Sequence, residues 1–125
     1  MKMDNNIFVE GVIEGIADYV QYEMTEGLKE VHGRNPRKKH VQHSEWYKGL
    51  KESEKEIHKS LTKETIDATL FYVMTLLDGV SELGEDYYGN FELKYTDEEG
   101  KSYLINNPEE EYLHDIYNAI RNPED

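Results

Sequence analysis

His40 and His43 stand three residues apart, with His32 shortly before them. That spacing can bring two imidazoles together, as a metal site completed by a third ligand requires. The pair sits in or beside the basic stretch Gly33 to His40, however, where Arg34, Arg37, Lys38 and Lys39 disfavour a bound cation. Glu111-x-x-His114 has the spacing of half a carboxylate-bridged di-iron site. Only one such motif occurs, and both residues lie off the apolar stripe of their helix, so no metal site is assigned. Asp67 falls within an otherwise apolar segment. If buried there, its carboxyl would be pushed up toward a proton-transfer role; if it faces water it signifies nothing. Asp78, Glu82, Glu85 and Asp86 follow it, without the alternating spacing of a calcium loop. Phosphate-cradling glycine loops, nucleophile elbows and zinc-protease motifs do not occur. No catalytic residue and no cofactor is assigned, and binding is expected rather than catalysis.

Charge directs attention to a partner. The 125 residues carry 27 acids and 14 bases, a net charge of -13. Residues 1–32 hold two bases and seven acids, residues 33–63 nine and four, and residues 64–125 three and sixteen. A segment of +5 therefore stands against a remainder of -18, which would repel a polyanion. Nucleic acid is not an expected partner, although Arg34, Arg37, Lys38 and Lys39 are candidates for binding a smaller anion. The ten tyrosines add rigid, amphipathic contact surface. Glu85, Asp86, Tyr87 and Tyr88 form one acidic, aromatic connector, and Tyr95 and Tyr103 follow on the strands beyond it. These six are the candidate partner-binding residues.

The elements that position these groups follow from periodicity. Val9, Val12, Ile13, Ile16, Val20, Met24, Leu28 and Val31 recur at helical steps, so a first helix is predicted over Ile7 to His32. Gly11 and Gly15 share one of its faces, where another backbone could approach closely or the helix could kink. A second, thinly striped helix is predicted from a Ser44 N-cap to Lys59. Thr62 reads as the N-cap of a third helix, 62–78, with Leu61 and Ile66 as a hydrophobic staple. That helix is apolar nearly all round, which places it at the centre of the fold. Asp78-Gly79 offers its stop. Phe91, Leu93 and Tyr95 then alternate with polar residues, as do Tyr103 and Ile105 beyond the Asp97-to-Gly100 turn, giving a β-hairpin. Asn107-Pro108-Glu109-Glu110 carries the start signals of a last helix.

The expected fold is α+β, predominantly helical: three helices, one β-hairpin and a C-terminal helix, with residues 1–125 as a single domain. No cysteine, signal-like apolar region or membrane-length span is present, and a cytoplasmic location is expected. The expected function is that of a small acidic protein-binding domain with a basic protein partner. Inhibitor or immunity-type proteins that neutralise a basic partner have this size and charge, a likeness of charge alone. Self-association into a homodimer is a further expectation. The alternative is a small-molecule-binding or enzymatic domain with a pocket beside helix 62–78, lined by Asp67 and tyrosines.

Overall fold

The computed structural model describes residues 2–87 and 89–123. It contains four helical rods and a two-stranded antiparallel hairpin, a mainly helical α+β arrangement. No helix among the described residues is long and apolar enough to cross a membrane.

The first rod comprises α1 (Asn5–Val12), a π-helical turn (Ile13–Ala17) and α2 (Asp18–Glu23). Asp4 starts it by accepting a hydrogen bond from the Ile7 amide at 2.8 Å. The π turn contains Gly15, and neither Gly11 nor Gly15 has any atom within 4 Å of where a Cβ would stand. No second backbone approaches that small face among the described residues; the helix widens there instead. The rod ends at Glu23 rather than near His32. Thr25 is buried and donates its hydroxyl to the Gln21 carbonyl at 2.7 Å, and a short 3-10 turn (Glu26–Lys29) follows.

The middle of the chain is divided differently from the prediction. Helix α3 (Lys38–Lys48) already includes Lys38 to His40, and Gly49 closes it. Ser44 is no cap: it is buried in mid-helix and donates to the Leu28 carbonyl at 2.6 Å. Helix α4 (Glu52–Leu77) then runs 26 residues, about 39 Å at 1.5 Å per residue. Its true start is at Lys51, whose amide donates to the Glu54 carboxylate at 2.7 Å. Thr62 lies inside it and donates back to the His58 carbonyl at 2.7 Å. No glycine or proline stands between Lys51 and Gly79, so nothing in the backbone asks for a break there. Leu61 is exposed and staples nothing.

At its C-terminus α4 closes with paired capping bonds, from the Gly79 amide to Leu76 and from the Val80 amide to Thr75. Gly79 takes φ +79°, which any Cβ would oppose. Val80 and Leu83 add no further turn. The hairpin is short: β1 (Lys94–Thr96) pairs with β2 (Ser102–Leu104), Tyr95 opposite Tyr103. Asp97 organises its turn by accepting from the Glu99 and Lys101 amides, both at 2.9 Å. Those bonds, the Lys101 amide foremost, hold the Asp97 carboxyl below the usual carboxylate range.

Helix α5 (Leu113–Arg121) starts six residues after Asn107. The Asn107 signal makes a turn instead, with its side-chain oxygen accepting from the Glu109 amide. The core lies where α1, α4, α5 and the end of the hairpin meet. It consists of Val9, Ile13, Met74, Ile105, Leu113, Ile116 and Tyr117. Helix α4 is not enclosed. Only Met74 and Thr75 of its residues are buried, while Ile57, Leu61, Tyr72 and Val73 are exposed.

Candidate functional site

Two side chains whose remote partners the sequence does not reveal tie the site to the fold. The side chain of Asp78, the last residue before Gly79, is 2% exposed. Its carboxylate accepts the Leu113 and His114 amides, each at 2.9 Å, and pairs with His114 Nδ1 at 2.6 Å. It thus caps α5 from 35 residues away in sequence. Asn106 is the second tie. Its side-chain amide donates to the Leu77 and Phe91 carbonyls at 2.6 and 2.7 Å, and its oxygen accepts from the Leu93 amide at 3.0 Å. Thr75 adds a hydroxyl contact with Ser81 at 2.9 Å. The connector between α4 and β1 is therefore pinned at both ends, and its described residues form no helix or strand between them.

Between those pins lies a cleft of about 510 Å³, lined by the end of α4 and by the connector. Glu82 and Asp86 supply its charge, Leu76, Leu83 and Phe91 its apolar wall, and Tyr87 a ring that is 67% exposed. The Tyr87 ring lies 3.8 Å from where a Cβ on Gly84 would stand. No lysine or arginine lines the cleft, and residues 79–93 contain none. Of the expected contact residues, Asp86 and Tyr87 line the cleft, and Glu85 is exposed beside them. Tyr88 lies outside the described residues. Tyr95 and Tyr103 pair across the hairpin and are not among the lining residues; Lys101 Nζ stands 5.4 Å from the Tyr103 ring centre.

The basic candidates stand elsewhere. Arg34 and Arg37 precede α3, whereas Lys38 and Lys39 form its first turn. All four are exposed, and none makes an ion pair among the described residues. Arg37 and Lys39 edge a shallow hollow that also takes in His32, His40 and His43. Among the described residues, no three histidine or carboxylate side chains are grouped to hold a metal ion. His114 is engaged by Asp78, stacks on Tyr112 and meets Phe71 edge-on, so it forms no ligand pair with Glu111, which is exposed.

Asp67 follows neither branch of the sequence expectation. Its side chain is only 13% exposed, yet its carboxyl is held below the usual range. Burial pushes it up, but hydrogen bonds from Lys63 and Tyr117 and the charge and donor of Arg121 outweigh that push. The distances are 2.8 Å to Lys63 Nζ, 2.8 Å to the Tyr117 hydroxyl and 2.9 Å to Arg121 Nε. Arg121 also reaches Asp18 at 2.8 Å. Burial, and then the bond to Asp67, push the Tyr117 hydroxyl above the ordinary phenol range. A groove of about 540 Å³ between α4 and α5 does lie here, lined in part by Asp67, Tyr72 and Tyr117. Its central polar groups are already paired with one another, and the ionised Asp67 has no proton to give. The cluster acts as a strut joining α2, α4 and α5.

Comparison with known proteins found no match to a family model, to a curated protein or to a solved structure.

Proposed function

We propose that this chain is a small acidic protein-binding domain, and that it takes a basic segment of its protein partner in the cleft at the end of α4. The observation that carries this reading is the composition of the cleft: two carboxylates, exposed aromatic and aliphatic carbon, and no base within residues 79–93. An arginine or lysine has the matching form, a long apolar stem with a cationic head. Leu83 and Phe91 offer a wall for the stem, Glu82 and Asp86 offer charge for the head, and Tyr87 offers a ring face to a guanidinium. The surplus of acids after residue 63 extends this preference to longer range, by steering a basic partner toward the face. An inhibitor-type role in the cytoplasm, neutralising a basic partner by covering its cationic surface, fits this charge and size.

The test is capture from lysate on the immobilised chain beside the E82Q/D86N variant, with low- and high-salt washes. Basic proteins held by the parent at low salt, released by salt and lost with the variant would support the reading. Capture of the same proteins by both forms would overturn it.

A further inference from the structure

The outer edge of β1 carries a second inference, which rests on the cleft reading and extends it. Bonds between the strands fix which backbone groups face inward. The Ile105 amide donates to the Leu93 carbonyl at 2.7 Å, and the Asp97 amide to the Lys101 carbonyl at 2.8 Å. Tyr95 and Tyr103 stand between those two pairs. Bonded and non-bonded pairs alternate along an antiparallel ladder, so the amides and carbonyls of Lys94 and Thr96 point away from β2. Neither residue makes another backbone bond, and the sheet has no third strand, among the described residues. All three residues of β1 are exposed, whereas Tyr103 and Leu104 on β2 are half-buried. Two strands are marginal in water, and an open edge is where a third can add.

This edge is continuous with the cleft. Asn106, two residues beyond β2, serves Phe91 and Leu93 as a strand would: its side chain donates to the Phe91 carbonyl and accepts from the Leu93 amide. Inward-facing groups thus fall at Phe91, Leu93, Tyr95 and Asp97, and the alternation leaves Glu92, Lys94 and Thr96 for the outer side. Phe91 is itself a wall of the cleft. We infer that the partner's basic segment binds as an extended strand, seated at one end against Glu82 and Asp86 and hydrogen-bonded along the outer edge of β1 as far as Thr96. The edge also sets the sequence it takes. Glu92 continues the acidic lining, and Tyr95, 36% exposed, offers its ring to an arginine on the adjoining strand. Lys94 is the one base between Gly79 and Thr96, so the partner residue beside it is acidic or uncharged. A basic helix, whose backbone groups are bonded to one another, would use the cleft without the edge.

Amide exchange on the full chain, with and without a peptide of about six residues in which arginine and threonine alternate, tests this. The Lys94 and Thr96 amides are expected to slow about tenfold or more at saturating peptide, while those of Ser102 and Leu104, on the outer side of β2, keep their rates. Proline gives a second readout, because at these positions it removes an outward donor and spares the bonds between the strands. T96P is expected to weaken peptide binding about fivefold, the value of one hydrogen bond, and S102P to leave it unchanged. The two variants are matched, since each loses the same Thr96–Ser102 hydroxyl contact. Peptide that shifts residues 79–93 and is lost with E82Q/D86N, yet leaves Lys94 and Thr96 exchanging at the free rate, would overturn the strand and spare the cleft. Equal protection of both edges, or equal weakening by T96P and S102P, would overturn it as well. No binding by the parent would overturn the cleft reading and this inference together.

Discussion

Replacing Asp78 by alanine removes the group that starts α5 and couples it to α4. Three donors lose their acceptor: the Leu113 and His114 amides and the His114 ring nitrogen. At 2% exposure of the Asp78 side chain, water has little access to replace it. Loss of an N-cap costs about 1 kcal/mol, and loss of a hydrogen bond to a charged group about 1.5–3 kcal/mol. The two together set an expected loss of about 3 kcal/mol. For a chain of this length that lowers Tm by roughly 10 °C. D78N keeps one oxygen acceptor and should lose about half as much. D115N is the control: Asp115 is 58% exposed and 3.3 Å from His114, and should change stability by less than about 0.5 kcal/mol. Urea and thermal unfolding followed by circular dichroism would read all three. If D78A falls within 1 kcal/mol of the parent, or D115N costs as much as D78A, the remote cap does not hold α5 in place.

Other perturbations have outcomes as definite. Asp67 ionises more readily in the folded chain, so its contribution is full above the ordinary 3.8 and fades as pH falls below that value. D67N should flatten acid unfolding in that window and, by stripping Tyr117 and Arg121 of a charged acceptor, cost about 2 kcal/mol at neutral pH. Tyr117 has the opposite sense: its contribution is full below the ordinary 10.0 and is lost as pH rises past it. Absorbance titration of Y117F against the parent should show one phenol fewer among those that ionise only on alkaline unfolding. G79A forces a Cβ into φ +79° and should cost about 1 kcal/mol by urea unfolding. N106A frees the connector from Leu77, Phe91 and Leu93, and should raise amide exchange across residues 79–93 while sparing α1.

The sequence was legible where a local signal met no rival. Gly79 ends α4, Asp97 and Gly100 make the hairpin turn, and the helical and alternating stretches fall in the expected order. It misled where a local signal competed with a remote partner. Thr62 and Ser44 resemble N-caps, yet each spends its hydroxyl on a carbonyl, one inside its own helix and one on Leu28. Asn107 signals a start, but α5 waits for Leu113 because Asp78 arrives there across the fold. Spacing cannot reveal such a partner, since 35 residues separate donor from acceptor. The candidate site was half legible. Glu85 to Tyr88 marked the connector by composition, but Asn106, which pins it, belongs to the far side of the hairpin. Tyr95 and Tyr103 share its aromatic character without lining the cleft, because strand pairing places them together instead.

The most direct test of the cleft is amide chemical-shift mapping of the full chain with a short arginine-rich peptide, and with a glutamate-rich peptide as control. The account predicts saturable shifts led by residues 79–93, abolished by E82Q/D86N and not produced there by the glutamate peptide. Shifts led instead by the equally acidic Asp97-to-Glu99 turn, or spread evenly over the acidic surface, would contradict it.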